Sequence, residues 1–354
     1  MTYHVTIEPI GETIEVEEEQ TILDALLRAG IYIPYQCGHG LCSTCKIDVL
    51  EGEVEIGPAS PFALMDFERE EGKALACCAT PLSDLVVEAD VEEDPDARHI
   101  PVADFTGRVA DLADLTPDIK GVWLELDGDG IEFQAGQYIN LNLPGVDGPR
   151  AFSIASPPSE PSRIELHVRR VDGGKGTAYV HERLAVGDHL TFAGPMGHFF
   201  VRASAQKPCL FIAGGSGVSS PKSMVLDLLE QGFDKPLWLF HGVRGRKDLY
   251  CDALFSELAE QHENFTYVPA LSEMDPADAW AGEIGFIHEA AARAFDGRFS
   301  GNSAYLCGPP PMIEASIRAL MKGRLFEKDI FTEKFVTQAD GEAALAKSPL
   351  FKRI

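Results

Sequence analysis

With 354 residues, 45% of them hydrophobic and 24% charged, the chain has an ordinary globular composition and enough length for two or three domains. A net charge of −26 argues against nucleic acid and anionic membranes as partners. No run approaches the roughly 18 apolar residues of a membrane span. The acidic, alternating start MTYHVTIEPIGETIEVEEE lacks the basic head and apolar core of a signal peptide. The expected location is the cytoplasm, where thiols stay reduced and clustered cysteines point to metal or redox chemistry.

Residues 1–93 open with two alternating segments, YHVTIEPI and ETIEVEE, whose period of two predicts strands. TILDALLRAG predicts a helix with Thr21 as N-cap, Asp24 three residues on and Gly30 as its stop. A cysteine-rich loop follows, then the strands KIDVLEGEVEI and DLVVEADV. This stretch carries 20 Asp and Glu against 4 Lys and Arg, a net −16 that suits either a solubilising surface or a docking face for a basic partner. VEEDPDARHIP is charged, holds two prolines and has no periodicity, a linker composition.

From residue 102 the segments GVWLEL, QYINLNL, RIELHVRRV and HLTFAGP, separated by Gly/Pro turns, predict an antiparallel barrel. Beyond about 207 the texture becomes strand–helix alternation. CLFIAGG precedes a helix through Met224–Leu229; PLWLFHG precedes DALFSELAEQH; FTYVPAL precedes a helix near HEAAARAF; SAYLCGP follows. That is the pattern of βαβ units around a parallel sheet. The reading is thus multidomain: a β-grasp-like α+β domain over 1–93, a linker over 94–101, an antiparallel β-barrel over 102–204, an α/β parallel-sheet nucleotide domain over 205–340 and a tail over 341–354.

Cys37, Cys42 and Cys45 follow C-x4-C-x2-C, and Cys77 lies 32 residues later. This is the plant-type spacing for a [2Fe–2S] cluster. Each iron takes two thiolates, and a tight loop can supply three. Gly38 and Gly40 let that loop turn through positive φ and bring its N–H groups near the sulfurs. A four-cysteine zinc site would instead show two short C-x2–4-C knuckles. Spacing alone admits Cys77 or its neighbour Cys78 as the fourth ligand. Together with LACCATPLSDL, the loop resembles the ferredoxin domain of oxygenase-associated reductases. That resemblance implies that the ligand lies four residues before Pro81, at Cys77.

RAFSIAS, residues 150–156, matches the R-x-[YF]-S motif of the ferredoxin–NADP reductase superfamily. Arg150 supplies a charge-assisted fork for a pyrophosphate. Past Ala151, Phe152 can stack on a flavin and the Ser153 hydroxyl can bond its N5. HVRRVDGGKGTAYV resembles the second flavin segment of that family. There His167, Val168 and Arg169 lead into Gly174, Lys175, Gly176 and Thr177, a glycine-rich phosphate cradle at a helix start. CLFIAGGSGVSSPKSMV places Gly214, Gly215, Ser216, Gly217 and Val218 between strand and helix, the context a nicotinamide dinucleotide requires. The sequence resembles the family's GG-[TS]-G-x-[AS]-P loop with its proline displaced to Pro221.

YLCGPPPM resembles the family's C-G-P-x-x-M segment, which implies that Cys307 sits near the nicotinamide C4, beside Gly308, Pro309 and Pro310. LFHGVRGRKDLY ends the second βαβ strand, and His241, Gly242 and Arg244 fall where the adenosine ribose is expected. Arg244, Arg246 and Lys247 could grip a 2′-phosphate, yet the H/Y-G-V-R-x3-D-L run resembles NADH-dependent reductases of aromatic oxygenases, and NADH is the expected donor. TEKFV resembles the C-terminal segment that covers the flavin, with Phe335 shielding the ring and Glu333 approaching it.

The resemblance runs over essentially the whole chain, and its nearest form is the reductase component of phenol hydroxylase and related bacterial monooxygenases. It implies FAD, a [2Fe–2S] cluster and NADH as cofactors, Ser153, Cys307 and Glu333 as catalytic residues, and the oxygenase component of a multicomponent monooxygenase as partner. The alternatives are a reductase for a Rieske ring-hydroxylating dioxygenase and a non-enzymatic electron carrier.

Overall fold

The computed structural model describes residues 1–36, 38, 40–91, 94–275 and 279–335. The chain divides into two compact units: Met1–Asp104 with Gly194–His198, and Phe105–Ala193 with the residues from Phe199 onward. In the first, strands β1 (Thr2–Glu8) and β2 (Glu12–Glu17) form an antiparallel hairpin, followed by helix α1 (Ile22–Arg28). Thr21 caps α1 as expected, its Oγ1 accepting from the Asp24 N–H at 3.3 Å. The helix buries Ile22, Leu23, Ala25, Leu26 and Leu27. Then come β3 (Lys46–Glu51), β4 (Val54–Glu55), α2 (Asp66–Glu70), β5 (Lys73–Leu75), β6 (Thr80–Pro81) and β7 (Leu85–Glu88). The main sheet runs β2-β1-β7-β3-β5, with β1 and β7 parallel. KIDVLEGEVEI is therefore two strands rather than one. Gly52 turns at φ +94°, and a Cβ there would stand 2.2 Å from the Asp84 carbonyl oxygen, so the chain leaves the sheet and β4 pairs with β6.

The second unit begins with a barrel. Strands β8 (Ala103–Asp114), β9 (Ile119–Leu126), β10 (Tyr138–Leu141), β11 (Arg150–Ser153), β12 (Arg163–Arg169) and, after helix α3 (Lys175–Glu182), β13 (His189–Met196) lie in the order β11-β10-β13-β8-β9-β12. An antiparallel bridge from Ile154 to Leu166 joins the two ends, so the sheet closes nearly completely. Alternate residues such as Val122, Leu124, Ile139, Leu141, Ile164 and Leu166 fill the interior. Helix α3 starts two residues before Thr177. Gly174 is the N-cap, and the Thr177 hydroxyl instead accepts from the Val171 N–H and donates to the Gly174 carbonyl.

The remainder alternates strand and helix: β14 (Cys209–Gly214), α4 (Ser219–Glu230), β15 (Leu237–Val243), α5 (Asp252–Gln261), β16 (Phe265–Leu271), β17 (Glu283–Ile284), α6 (Ile287–Ala294), β18 (Ser303–Gly308), α7 (Pro310–Lys322) and β19 (Ile330–Lys334). All six strands are parallel, in the order β17-β16-β15-β14-β18-β19. Neighbouring residues of one strand serve opposite cores. Phe211, Leu239 and Tyr305 enter one cluster, while Ile212, Phe240 and Leu306 enter the other. Burial on both faces explains the continuous apolar runs. Strand β14 has β15 on one side and β18 on the other, so the order of strands reverses there. Ligands of such sheets bind at that switch point, beyond the carboxyl ends of the strands.

Candidate active site

The cysteine loop is positioned by backbone hydrogen bonds that fall at the start of α1. The first amides of a helix lack partners within it. Here Ile22 N–H donates to Ala79 O and Leu23 N–H to Ala76 O, both at 2.9 Å, which docks the Cys77–Cys78 segment on the helix end. Ala76 N–H in turn donates to Cys45 O at 2.9 Å, drawing Cys45 beside Cys77. Cys45, Cys77 and Cys78 are buried and Cys42 is half-buried. Cys37 lies outside the described residues. Gly38 and Gly40 take φ of +67° and +74°. A Cβ on Gly40 would stand 2.6 Å from Cys78 Sγ, so only glycine lets the loop pass that thiol. Soft thiolates on a tightly turned loop are a donor set that fits a [2Fe–2S] cluster, which supplies one-electron transfer when bound.

In the barrel, β11 carries the four residues of the first flavin motif. The Arg150 Nη1 donates to the carbonyls of Asp147, Gly148 and Pro149, each at 3.0 Å. A Cβ on Gly176 would lie 3.0 Å from Arg150 Cγ, so the Arg150 stem rests on the first turn of α3. Cation and helix N-terminus thus converge on one place, as a pyrophosphate requires. Ala151 is exposed, Phe152 half-buried and Ser153 buried. The exposed Arg169 pairs with Asp118 at 3.2 Å, and Gly174 and Lys175 open α3. His167 and Val168 differ from the others. The His167 ring is enclosed by Glu165 and Tyr250, and Val168 packs in the barrel core, so neither side chain is open to a flavin.

At the switch point the glycine loop and the Cys307–Pro310 turn meet backbone to backbone. A Cβ on Gly214 would lie 2.5 Å from Met312 Sδ, and one on Gly217 would lie 2.3 Å from the Cys307 carbonyl oxygen. A Cβ on Gly308, at φ +142°, would lie 3.0 Å from Gly214 O. The two turns of the candidate dinucleotide site therefore pack this closely only because both carry glycine. Gly217→Ala should push β14 and β18 apart at their carboxyl ends and weaken NAD binding about tenfold or more, measured by calorimetry on the holoprotein. Gly215→Ala is its control for space, because nothing lies within 4 Å of a Cβ there, although its φ of +54° favours glycine. Arg244 is exposed at the end of β15, while His241 is fully buried beside the Gly215 backbone. Burial pushes the His241 imidazole down to about 4, so it stays neutral.

Ser153, Cys307 and Glu333, from three different strands, lie close together. Glu333 Oε2 accepts from Ser153 Oγ at 3.4 Å and lies 3.8 Å from Cys307 Sγ. Ser220, on the first turn of α4, donates to the same oxygen at 2.9 Å. Burial raises the Glu333 carboxyl to about 7 against the pull of these donors. Burial and the adjacent Glu333 push the Cys307 thiol up, so it stays protonated. Glu333 can therefore hold or release a proton at an oxygen bonded to the Ser153 hydroxyl near neutral pH. Phe335 is tied to the same turn, its N–H donating to Gly308 O at 3.0 Å. Sequence reasoning missed Ser220. The only signal was its position in GSGVSSP, where a serine stands in place of the expected proline.

A flavin when bound exchanges two electrons with a nicotinamide and passes them on singly. Cradles for both, together with a thiolate cluster loop, define a flavin-dependent iron–sulfur reductase. Three family models match in succession: the 2Fe-2S iron-sulfur cluster binding domain over residues 5–82, the oxidoreductase FAD-binding domain over 107–201 and the oxidoreductase NAD-binding domain over 211–317. The chain is 59% identical over the full length of both proteins to the phenol 2-monooxygenase reductase component DmpP of Pseudomonas sp. (strain CF600). Its structure is similar to that of the Amycolatopsis cytochrome P450 reductase GcoB, with 36% identity, a TM-score of 0.86 and coverage of 95% of this chain and 99% of that one. It is also similar to the ferredoxin reductase in carbazole 1,9a-dioxygenase, with 29% identity, a TM-score of 0.80 and the same coverage. The chain belongs to the family of oxygenase reductase components that join these three domains, and it uses NADH, FAD and a [2Fe–2S] cluster.

Proposed function

We propose that this protein is the reductase of a phenol hydroxylase, passing electrons from NADH through FAD and the cluster to a di-iron oxygenase component in the cytoplasm. The observation that carries the reading is the identity of 59% with a phenol 2-monooxygenase reductase, over 100% of both sequences. Among the described residues no helix is long and apolar enough to cross a membrane. Cys37, Cys42, Cys45 and Cys77 hold the cluster. Arg150, Ser153 and the start of α3 hold the flavin, and the two glycine-flanked turns hold the nicotinamide.

The partner surface follows from charge. All four cations of residues 1–93 are engaged at home. Arg28 pairs with Asp24 and Asp104, Lys46 with Glu68 and Lys73 with Asp48, while Arg69 donates to the carbonyls of Ala59 and Leu64. Most of the other described carboxylates of this stretch, among them Glu12, Glu15, Glu17, Glu51, Glu53 and Glu55, are exposed and suit a basic oxygenase surface. Raising salt from about 0.05 to 0.5 M should slow coupled hydroxylation about tenfold and flavin reduction by NADH less than twofold. Equal slowing of both would remove the acidic docking face.

The likeness to the carbazole dioxygenase reductase supports a second reading, a Rieske oxygenase as acceptor. Reconstitution separates the two. Coupled product formation is expected with a phenol-oxidising di-iron hydroxylase, and coupling to a Rieske oxygenase alone would overturn the proposal.

A further inference from the structure

Helix α4 starts where the glycine loop ends, and its early residues reach into the flavin barrel. Lys222 donates to Glu165 Oε2 on β12, with both side chains largely buried. Glu165 Oε1 accepts from His167 Nε2 at 2.7 Å, and His167 Nδ1 accepts from the Tyr250 hydroxyl at 3.1 Å. The Tyr250 ring stands edge-on to His167 and to the buried His241, at 5.1 and 5.7 Å between centroids. The next two residues of α4 also bind the barrel. Ser223 Oγ donates to Ser156 O at 2.6 Å, and Met224 packs so closely on Gly136 that a Cβ there would lie 2.2 Å from its Cε.

Protonation in this network is self-consistent. Burial works against the Glu165 charge, but the His167 and Lys222 donors outweigh it and the carboxyl stays ionised. Burial drives the His167 imidazole down. It is therefore neutral, with Nε2–H donating and Nδ1 accepting, and the one anion is balanced by the one cation. A balanced buried pair seldom outperforms apolar packing in stability, and its better-attested use is to fix one geometry among several. Two residues before Lys222, Ser220 grips Glu333, which in turn holds Ser153. Whatever seats α4 therefore also seats the glycine loop against the flavin serine.

We propose that Lys222, Glu165 and His167 are positioning residues, a buried clamp that sets how the nicotinamide loop Gly214–Val218 is presented to Ser153. The inference rests on the reductase reading. Each single variant, Lys222→Met or Glu165→Gln, leaves an unbalanced buried group and can destabilise the unit outright. The double variant Glu165→Gln/Lys222→Met removes both charges, nearly conserves volume and keeps an amide acceptor for His167.

In the double variant the flavin and iron content of the purified protein should match the wild type. NAD affinity by calorimetry should stay within about threefold. Flavin bleaching at saturating NADH in stopped flow should slow about 10- to 100-fold, with loss of the long-wavelength nicotinamide–flavin absorbance. Amides of α4 should exchange faster with deuterium even without cofactors. An unchanged saturating rate and absorbance band, with only a lower melting temperature, would show that the clamp merely holds the fold. If the wild type itself is not bleached by NADH, the reductase reading fails instead, so the two failures are distinguishable.

Discussion

Replacing Cys77 with serine is expected to bleach the visible absorbance of the cluster and drop iron from about two per flavin toward zero. A serine oxygen is a hard donor that keeps its proton at neutral pH, whereas the cluster irons need soft thiolates. Bound flavin and NADH-to-ferricyanide turnover should survive, because the flavin and nicotinamide cradles lie in a unit with its own apolar clusters. Cys78→Ser is the decisive companion. Its thiol lies 3.7 Å from Cys77 Sγ and backs onto Gly40, so serine should fit there with the cluster intact. Bleaching by Cys78→Ser, with Cys77→Ser coloured, would reverse the ligand assignment.

The second large effect is expected at Glu333. Its folded carboxyl titrates near 7, raised by burial from an ordinary 4.5. Below 4.5 folded and unfolded chains both hold the proton. Between 4.5 and 7 the unfolded carboxyl has lost it while the folded one keeps it. Stability should therefore fall as pH rises through that window and level off above it, by up to about 3 kcal/mol from this residue. Glu333→Gln removes the titration and should flatten the dependence in urea melts of the flavin–nucleotide unit between pH 4.5 and 8. NADH-to-ferricyanide turnover is expected to inflect near pH 7 in the wild type and to lose that inflection in the variant. An identical pH slope in the variant would show that another group carries the proton.

The features legible in the sequence are those written within a few residues of one another. Thr21 and Asp24 announce α1, three cysteines within nine positions announce the cluster loop, and strands with two buried faces announce the parallel sheet as apolar runs. Features that failed to show depend on distance or on broken period. Strand β8 has only two buried residues and carries a bulge between Val109 and Asp111, which destroys the alternation that marks a strand. The split at Gly52 depends on a carbonyl thirty-two residues away, at Asp84. Glu165 and Lys222 are separated by 57 residues and look like two ordinary surface charges until the fold buries them against each other. Ser220 hides in a serine pair next to a phosphate loop, and only its bond to Glu333 distinguishes it.

The spacing of the Ser153–Glu333 pair, 180 residues apart, also has a meaning for how the molecule is made. The ferredoxin sheet closes within its first 88 residues, since β7 pairs with β1 and β3. Ser153, by contrast, stays without its carboxylate until β19 has left the ribosome and paired with β18. During synthesis the exit end of the electron path can therefore form early, and the entry end is completed among the last elements of the fold. A nascent chain that stops short of β19 therefore still lacks the Glu333 carboxylate against the Ser153 hydroxyl.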